Sequence, residues 1–123
     1  MNGRNLLLDT NAIIALLDGN KIVIELANNN ILHISFVSEL ESLSYQKLTA
    51  QEKTVIQNLL DDCIIIELNS EIKKLTVILR TKYKLKLPDA IIAATAYYYQ
   101  LPLISADKAF SKVNEIELVQ FLD

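Results

Sequence analysis

Hydrophobic residues form short continuous runs along this chain, and each run is followed by a break or by a stretch with helical spacing. An uninterrupted apolar run predicts a strand that is buried on both faces of a parallel sheet. Residues 6–8, just before Asp9, form such a run in the predicted strand 6–9, and further short strands are predicted at 31–35, 63–68, 101–104 and 116–120. We therefore predict a central parallel sheet of four to five strands.

The stretches between these runs carry apolar residues at the three- and four-residue spacing of helices. Pro88 suits the first turn of the last of them, because its missing N–H is not needed there. That helix is apolar nearly all round, so we expect it to be buried. The predicted helices span 12–17, 21–28, 36–47, 70–82 and 88–99, and one more opens at the capping-box sequence of 49–52.

Strands that alternate with helices predict a three-layer α/β/α fold with helices on both faces of the sheet. The chain has 123 residues, which suits one domain over 1–123. No apolar run reaches the roughly 18 residues that a membrane span requires. The N-terminus lacks the apolar stretch of a signal peptide, so we expect a cytoplasmic protein.

Four acidic residues fall at positions that the predicted fold makes informative. Asp9 directly follows the first strand, and Asp107 comes shortly after the fourth. Ligands of open parallel sheets bind at the carboxyl ends of the strands, where the strand order reverses. Asp89 lies in the first turn of the most apolar helix, and Glu41 shares a helix face with the apolar Leu40. A lone carboxylate on a buried face would be costly, so Glu41 is expected to have a partner.

Four ionised carboxylates in one place repel one another unless a cation balances them. Hard divalent ions such as Mg²⁺ or Mn²⁺ are the usual partners of an all-oxygen cluster. These ions polarise phosphates and activate water, which suits the hydrolysis of phosphodiester bonds. An acid at a helix start has a simpler explanation as a favourable partner of the helix dipole, but that explanation must then hold at several positions at once.

Four segments resemble the motifs of the PIN-domain nucleases, in the order of that family and over nearly the whole chain. In the second motif a Ser or Thr precedes the acid by three positions, which favours Glu41 over Glu39 because of its spacing from Ser38. The size and layout look most like the VapC-type toxins of toxin–antitoxin pairs. The four segments are LLLDTN at 6–11, ISFVSELE at 34–41, LPDAIIAATA at 87–96 and LISADKAF at 103–110.

This resemblance implies a PIN-like domain that hydrolyses RNA phosphodiester bonds as an Mg²⁺- or Mn²⁺-dependent endoribonuclease. It also implies a small antitoxin that covers the active site, and a homodimer. Asn11 and Ser105 match polar positions that support the site. The residues implied as metal ligands and catalytic acids are Asp9, Glu41, Asp89 and Asp107.

The charge of the chain does not by itself indicate a nucleic-acid enzyme. The net charge is −3, whereas broad electrostatic binding to RNA is typically accompanied by a basic excess. A basic run that ends three residues before Asp89 could steer a phosphate or could be a solvated loop. The candidate substrate-binding lysines in that run are Lys82, Lys84 and Lys86.

Two other functions fit parts of the pattern. A catalytically silent PIN-fold module that binds nucleic acid or protein would have no physical need for four mutually repelling carboxylates. A phosphoryl-relay receiver domain would need paired acids near the first strand and an Asp at the end of the third, and neither is present. Cys63 lies in an apolar run and is expected to be a buried, reduced thiol. His33 lies within a predicted strand, where a structural role is expected.

Overall fold

A parallel sheet forms the middle layer of the structure, which is a computed structural model describing residues 3–45 and 47–122. Within these residues the sheet has five strands in the order β3-β2-β1-β4-β5, and all four neighbouring pairs are parallel. The strands are β1 (Asn5–Leu8), β2 (Ile31–Ser35), β3 (Ile64–Ile66), β4 (Leu103–Ser105) and β5 (Leu118–Gln120). The predicted parallel sheet is confirmed.

Helices cover both faces of this sheet. Alternate residues of β1 point to opposite faces, so that Leu7 packs into one core and Leu6 and Leu8 pack into the other. The helices are α1 (Thr10–Leu17), α2 (Lys21–Ala27), α3 (Phe36–Leu43), α4 (Ala50–Asp61), α5 (Ser70–Tyr83) and α6 (Leu87–Tyr99). The first core is closed by α5 and α6, and the second by α1, α2 and α4. The three-layer α/β/α prediction is therefore confirmed.

The strand order reverses between β1 and β4. The chain builds β1, β2 and β3 towards one edge and then crosses over to add β4 and β5 at the other. The chain segments that leave β1 and β4 consequently diverge and open a crevice at the carboxyl ends of these two strands. The backbone N–H of Asp9 still donates to the carbonyl of Ile104 at 3.2 Å, which holds the two strand ends together.

Several predicted element bounds were wrong by a few residues. Helix α3 ends at Leu43 instead of 47, where the Ser44 hydroxyl bonds back to the carbonyl of Leu40. Gln46, at the end of that prediction, lies outside the described residues. Strand β4 begins at Leu103 because Pro102 has no N–H to donate to a neighbouring strand. A 3₁₀ helix at Lys108–Lys112 was not predicted.

The predicted apolar faces of two helices are only partly buried. In α4, Ile56 and Leu60 are buried whereas Val55 is exposed, and in α5 Leu79 is buried whereas Ile78 is exposed. The capping box at the start of α4 is present as predicted, with reciprocal bonds between Thr49 and Glu52. None of the helices in the described part of the chain is long and apolar enough to span a membrane.

Candidate active site

An open pocket of about 440 Å³ lies at the crevice between β1 and β4. All four acids that the sequence singled out line it, although they come from segments up to 98 residues apart in the chain. Asn11 also lines the pocket and is exposed. Among the described residues, the lining consists of Asp9, Thr10, Asn11, Glu41, Ser44, Tyr45, Asp89, Ile92 and Asp107. The fold therefore gathers the predicted acids around one space.

Asp9 is the most deeply placed of these carboxylates. It directly follows β1 and caps α1, where its Oδ1 accepts a hydrogen bond from the backbone N–H of Ala12 at 2.8 Å. Its Oδ2 accepts from the hydroxyl of Ser105 at the end of β4. The residue is only 3% exposed. Both oxygens of a nearly buried carboxylate are thus held in a fixed orientation by neighbouring segments.

Ser105 connects the two acids that follow the central strands. It is fully buried, and its Oγ both donates to Asp9 and accepts a hydrogen bond from the backbone N–H of Asp107 at 2.9 Å. Asp107 in turn caps the 3₁₀ helix by accepting from the backbone N–H of Ala109 at 2.9 Å. One serine hydroxyl therefore fixes the position of Asp9 relative to Asp107.

Glu41 reaches the pocket from α3, but the prediction that it lies on a buried helix face was wrong. The face that it shares with Leu40 is exposed, since Leu40 itself is 58% exposed and Glu41 is exposed as well. Its position is instead set by Thr10, whose hydroxyl donates to Glu41 Oε1 at 2.5 Å. The same hydroxyl lies 3.1 Å from the Oγ of the fully buried Ser38. Glu39, the other acid of the second motif, is half-buried and does not line the pocket.

Asp89 enters from the first turn of α6, as predicted from its place beside Pro88. It is half-buried, and burial is the main reason why its pKa lies above the usual range. The negative charges of Asp107 and Glu41 raise this pKa further, while the positive charge of Lys86 opposes them. Asp89 is therefore close enough to Asp107 and to Glu41 for their charges to act on it.

Burial raises the pKa of Asp9 from 3.8 to about 6. The hydrogen bonds from Ser105 and Ala12 act in the opposite direction, and the charges of Asp107 and Asp89 add to the increase. An acid with such a pKa is poorly stabilised in its ionised form, and a nearby cation would relieve this. Asp9 is consequently the position where a bound cation would change the energetics most.

The side chains that line the pocket are of the type that a hard divalent cation prefers, but they are not close enough together to ligate one ion. Within residues 3–45 and 47–122, no three Asp, Glu, His or Cys side chains stand close enough together to ligate one ion. All the charged groups that line the pocket are carboxylates, and oxygen ligands are what Mg²⁺ and Mn²⁺ prefer. Burial first, and the charges of neighbouring acids second, raise the pKa values of Asp9 and Asp89, so the ionised forms of both are poorly stabilised. We therefore regard the pocket as a candidate site for such a cation.

The three lysines predicted near the site do not line the pocket. The Nζ of Lys82 donates to Glu115 Oε2 at 2.9 Å, and this glutamate also accepts from the hydroxyl of Tyr83 at 2.5 Å. Lys84 ends α5 in the left-handed conformation, with φ at 55°. Lys86 precedes α6 and is the one whose charge acts on Asp89. The substrate role of all three stays a prediction.

Sequence reasoning did not single out four of the residues that line the pocket: Thr10, Ser44, Tyr45 and Ile92. Thr10 stands next to Asp9 in the first motif, and only the fold shows that its hydroxyl meets Glu41. Tyr45 follows Glu41 by four residues, the distance of one helical turn, but it lies in the loop after α3. The four-residue spacing between Glu41 and Tyr45 was therefore a feature of the sequence that could have predicted Tyr45 beside the acids.

Two other reactive side chains lie elsewhere. Cys63 is half-buried with a free thiol, and burial, aided by the charge of Asp62, raises its pKa to about 11. Such a thiol stays protonated at neutral pH and is a poor nucleophile. The Nε2 of His33 lies 2.9 Å from Asn5 Oδ1, away from the carboxylate pocket.

The buried Asp9 should make the metal-free protein less stable as the pH rises. Because its pKa is 3.8 in the unfolded reference and about 6 in the fold, the folded state holds a proton that the unfolded chain releases. The stabilisation is complete below pH 3.8 and is lost as the pH passes through about 6, for a total of about 3 kcal/mol. Urea unfolding in EDTA from about pH 4 to about pH 8 measures it.

The Asp9→Asn variant is the control for this titration, because asparagine carries no proton to lose. The free energy of unfolding of the wild type should fall relative to that of the variant across this range. Equal pH profiles for the two proteins would contradict the assignment of the titration to Asp9.

Comparison with known proteins bears on the family and the fold of this chain. The family model described as PIN domain matches residues 6–116. A chain in a structure described as a toxin–antitoxin complex from Klebsiella pneumoniae is 30% identical, with a TM-score of 0.83 over 96% of this chain and 99% of that one. No curated protein matches the sequence.

Two further solved structures share the fold at lower identity. A chain of VapBC2 from Rickettsia felis, bound to a DNA fragment from its promoter, is 21% identical with a TM-score of 0.81, covering 95% of this chain and 98% of that one. A chain of DNA-bound VapBC from Salmonella typhimurium is 18% identical with a TM-score of 0.83, covering 95% and 98%.

Proposed function

This chain belongs to the PIN domain family, and on that premise we propose that it is a metal-dependent endoribonuclease that acts as the toxin of a toxin–antitoxin pair. One observation carries the proposal: four carboxylates from separate segments line a single pocket at the point where the strand order reverses. A fold that only bound protein would gain nothing from placing these charges together, since they repel one another.

Asp9 and Asp89 would hold the main divalent ion in this proposal, and Glu41 and Asp107 would complete the site. An Mg²⁺ or Mn²⁺ ion bound there would offset the negative charge, polarise the phosphate and lower the pKa of water. The first two acids are chosen because burial disfavours their ionised forms, so they gain most from a cation.

The rest of the pocket positions these acids. Ser105 and the backbone N–H of Ala12 hold the two oxygens of Asp9, so its carboxylate does not have to be ordered when a ligand arrives. Thr10 does the same for Glu41, which is on an exposed helix face and would otherwise sample several rotamers. Both contacts reduce the entropy lost on binding at this site.

A partner protein is part of the same proposal. The Klebsiella pneumoniae structure that this chain resembles is a toxin–antitoxin complex, and the two chains align over almost their full lengths. We propose that a small antitoxin binds this protein, and that the protein forms a homodimer. Co-expression with the neighbouring reading frame, compared with expression alone, would probe the antitoxin through the growth of the host.

The direct test is cleavage of a single-stranded RNA labelled at either end, in the presence of Mg²⁺ or Mn²⁺. The wild type should cut the RNA at internal positions, which gives labelled fragments from each end, and should leave a DNA of the same sequence intact. An Asp9→Asn preparation purified in parallel controls for contaminating ribonuclease. Absence of fragments with both metals, or equal fragments from the variant, would refute the nuclease and favour a silent binding module.

A further inference from the structure

The carboxylate pocket offers little electrostatic attraction to an RNA backbone. Its lining contains four acids and, within the described residues, no lysine or arginine. Proteins that bind single-stranded RNA commonly combine phosphate contacts with the stacking of bases on aromatic side chains. Where the phosphate contacts are poor, stacking has to contribute a larger share of the affinity.

Tyr45 is the one aromatic residue in the lining of this pocket, as far as the described residues go. It follows α3 and is 47% exposed, so an aromatic surface is available without displacing core residues. A tyrosine ring presents a flat apolar face at a low cost in conformational entropy, because it has only two rotatable side-chain bonds.

The same tyrosine also lines a second pocket that adjoins the first. This groove has a volume of about 410 Å³ and lies between α1 and α4. Its apolar lining can cover the faces of a heterocycle, and the polar side chains that also line it, those of Asp18, Gln51 and Glu52, can pair with the edge of a base. The apolar residues that line it are Ile14, Leu17, Leu48, Val55 and Ile56. Tyr45 is therefore shared between the carboxylate pocket and the groove.

We propose that Tyr45 is a stacking platform for an unpaired base next to the phosphodiester that is cut, with the groove as the subsite of that base. The inference rests on the proposed nuclease function and adds to it the residue that holds a base beside the cut. A base within a duplex is stacked on its neighbours and is not free to lie against a side chain.

The test measures RNA affinity in an Asp9→Asn background, so that no cleavage occurs during the titration. The probe is a fluorescein-labelled RNA of 12 nucleotides that carries a cut site mapped with the wild type. Tyr45→Ala and Tyr45→Leu should each weaken binding by about 5- to 150-fold, whereas Tyr45→Phe should bind like the parent. The leucine variant keeps apolar area and removes the π-face, so it separates stacking from simple covering.

A modified RNA identifies the base. One nucleotide at a time next to the cut site is replaced by an abasic residue, and one of these probes should bind the Tyr45-containing protein more weakly by the same factor. That probe and the unmodified RNA should bind Tyr45→Ala equally well, because the contact is already missing. Additive effects of the two changes would overturn the proposal.

Tyr98 provides the matched control. It is 42% exposed on α6, nine residues beyond Asp89 and thus about 13 Å further along the helix. Tyr98→Ala should leave RNA affinity unchanged. If Tyr45→Ala also leaves it unchanged while the wild type cuts RNA, the stacking inference is wrong and the groove is assigned to a protein ligand. If the wild type does not cut RNA at all, the proposed function itself fails.

Discussion

Chelation of divalent cations should abolish RNA cleavage, with a loss of at least about 1000-fold, and Mg²⁺ or Mn²⁺ added in excess should restore it. Without a cation the scissile phosphate would have to approach four carboxylates with no lysine or arginine among the described lining residues. Burial, followed by the charges of neighbouring acids, already raises the pKa values of Asp9 and Asp89, so their ionised forms are costly before a phosphate arrives. The rate is measured in EDTA and again after each metal is added back.

Two controls separate a specific site from a general effect of salt. NaCl at matched ionic strength should not restore cleavage, since monovalent ions only screen exposed charges. Mg²⁺ should also raise the melting temperature of the protein in the absence of RNA by several degrees, because a ligand that binds only the folded state stabilises it. Full cleavage in EDTA would contradict a metal mechanism, whatever the thermal shift.

Much of the fold follows from local patterns in the sequence. The apolar run of β1 predicted a buried parallel strand because a strand covered on both faces has no polar side. The capping box of Thr49 and Glu52 marked the start of α4 for an equally local reason. The end of α3 depended on a back-bonded serine and the following loop, which periodicity does not report. Element type was therefore predictable where boundaries were not.

The candidate site was predicted in outline from where the acids follow the strands. The ends of β1 and β4 become neighbours only because the chain crosses the sheet between β3 and β4, and that step is not visible in any single motif. Glu41 was chosen partly for a burial that it does not have. The contact that positions it, from Thr10, joins residues 31 apart and could not be read from spacing. Long-range contacts between side chains could thus not be predicted from the sequence alone.

The lysines illustrate the same limit with charged residues. Lys82 stood in a basic run near Asp89, which made it a candidate for phosphate binding. In the fold it pairs with Glu115, whose pKa is lowered first by the Tyr83 hydroxyl and then by Lys82. A charge run in a sequence does not indicate which members are matched by partners from a distant loop. Lys86 is the member of the run whose charge acts on Asp89.

Asp9→Asn should change cleavage and stability in opposite directions. Loss of the buried carboxylate removes a ligand and should lower the cleavage rate by at least about 1000-fold, as chelation does. The metal-free variant should nevertheless unfold at a higher free energy near pH 7.5, by about 1–3 kcal/mol, because an ionised group no longer has to be buried. The amide oxygen can still accept from Ala12, and the amide nitrogen can donate to the Oγ of Ser105, which reverses the direction of the bond that the Ser105 hydroxyl donates to the carboxylate.

Asp62→Asn is the matched substitution, since Asp62 is exposed at the end of α4 and does not line the pocket. It should cut RNA at the wild-type rate and change the free energy of unfolding by less than about 0.5 kcal/mol. The melting temperature of Asp9→Asn should also lose most of its response to Mg²⁺, which a simple folding defect does not produce. If Asp9→Asn cuts RNA at the normal rate, Asp9 is not a ligand; if it is less stable than the wild type, its carboxylate is stabilised in a way that the burial argument omits.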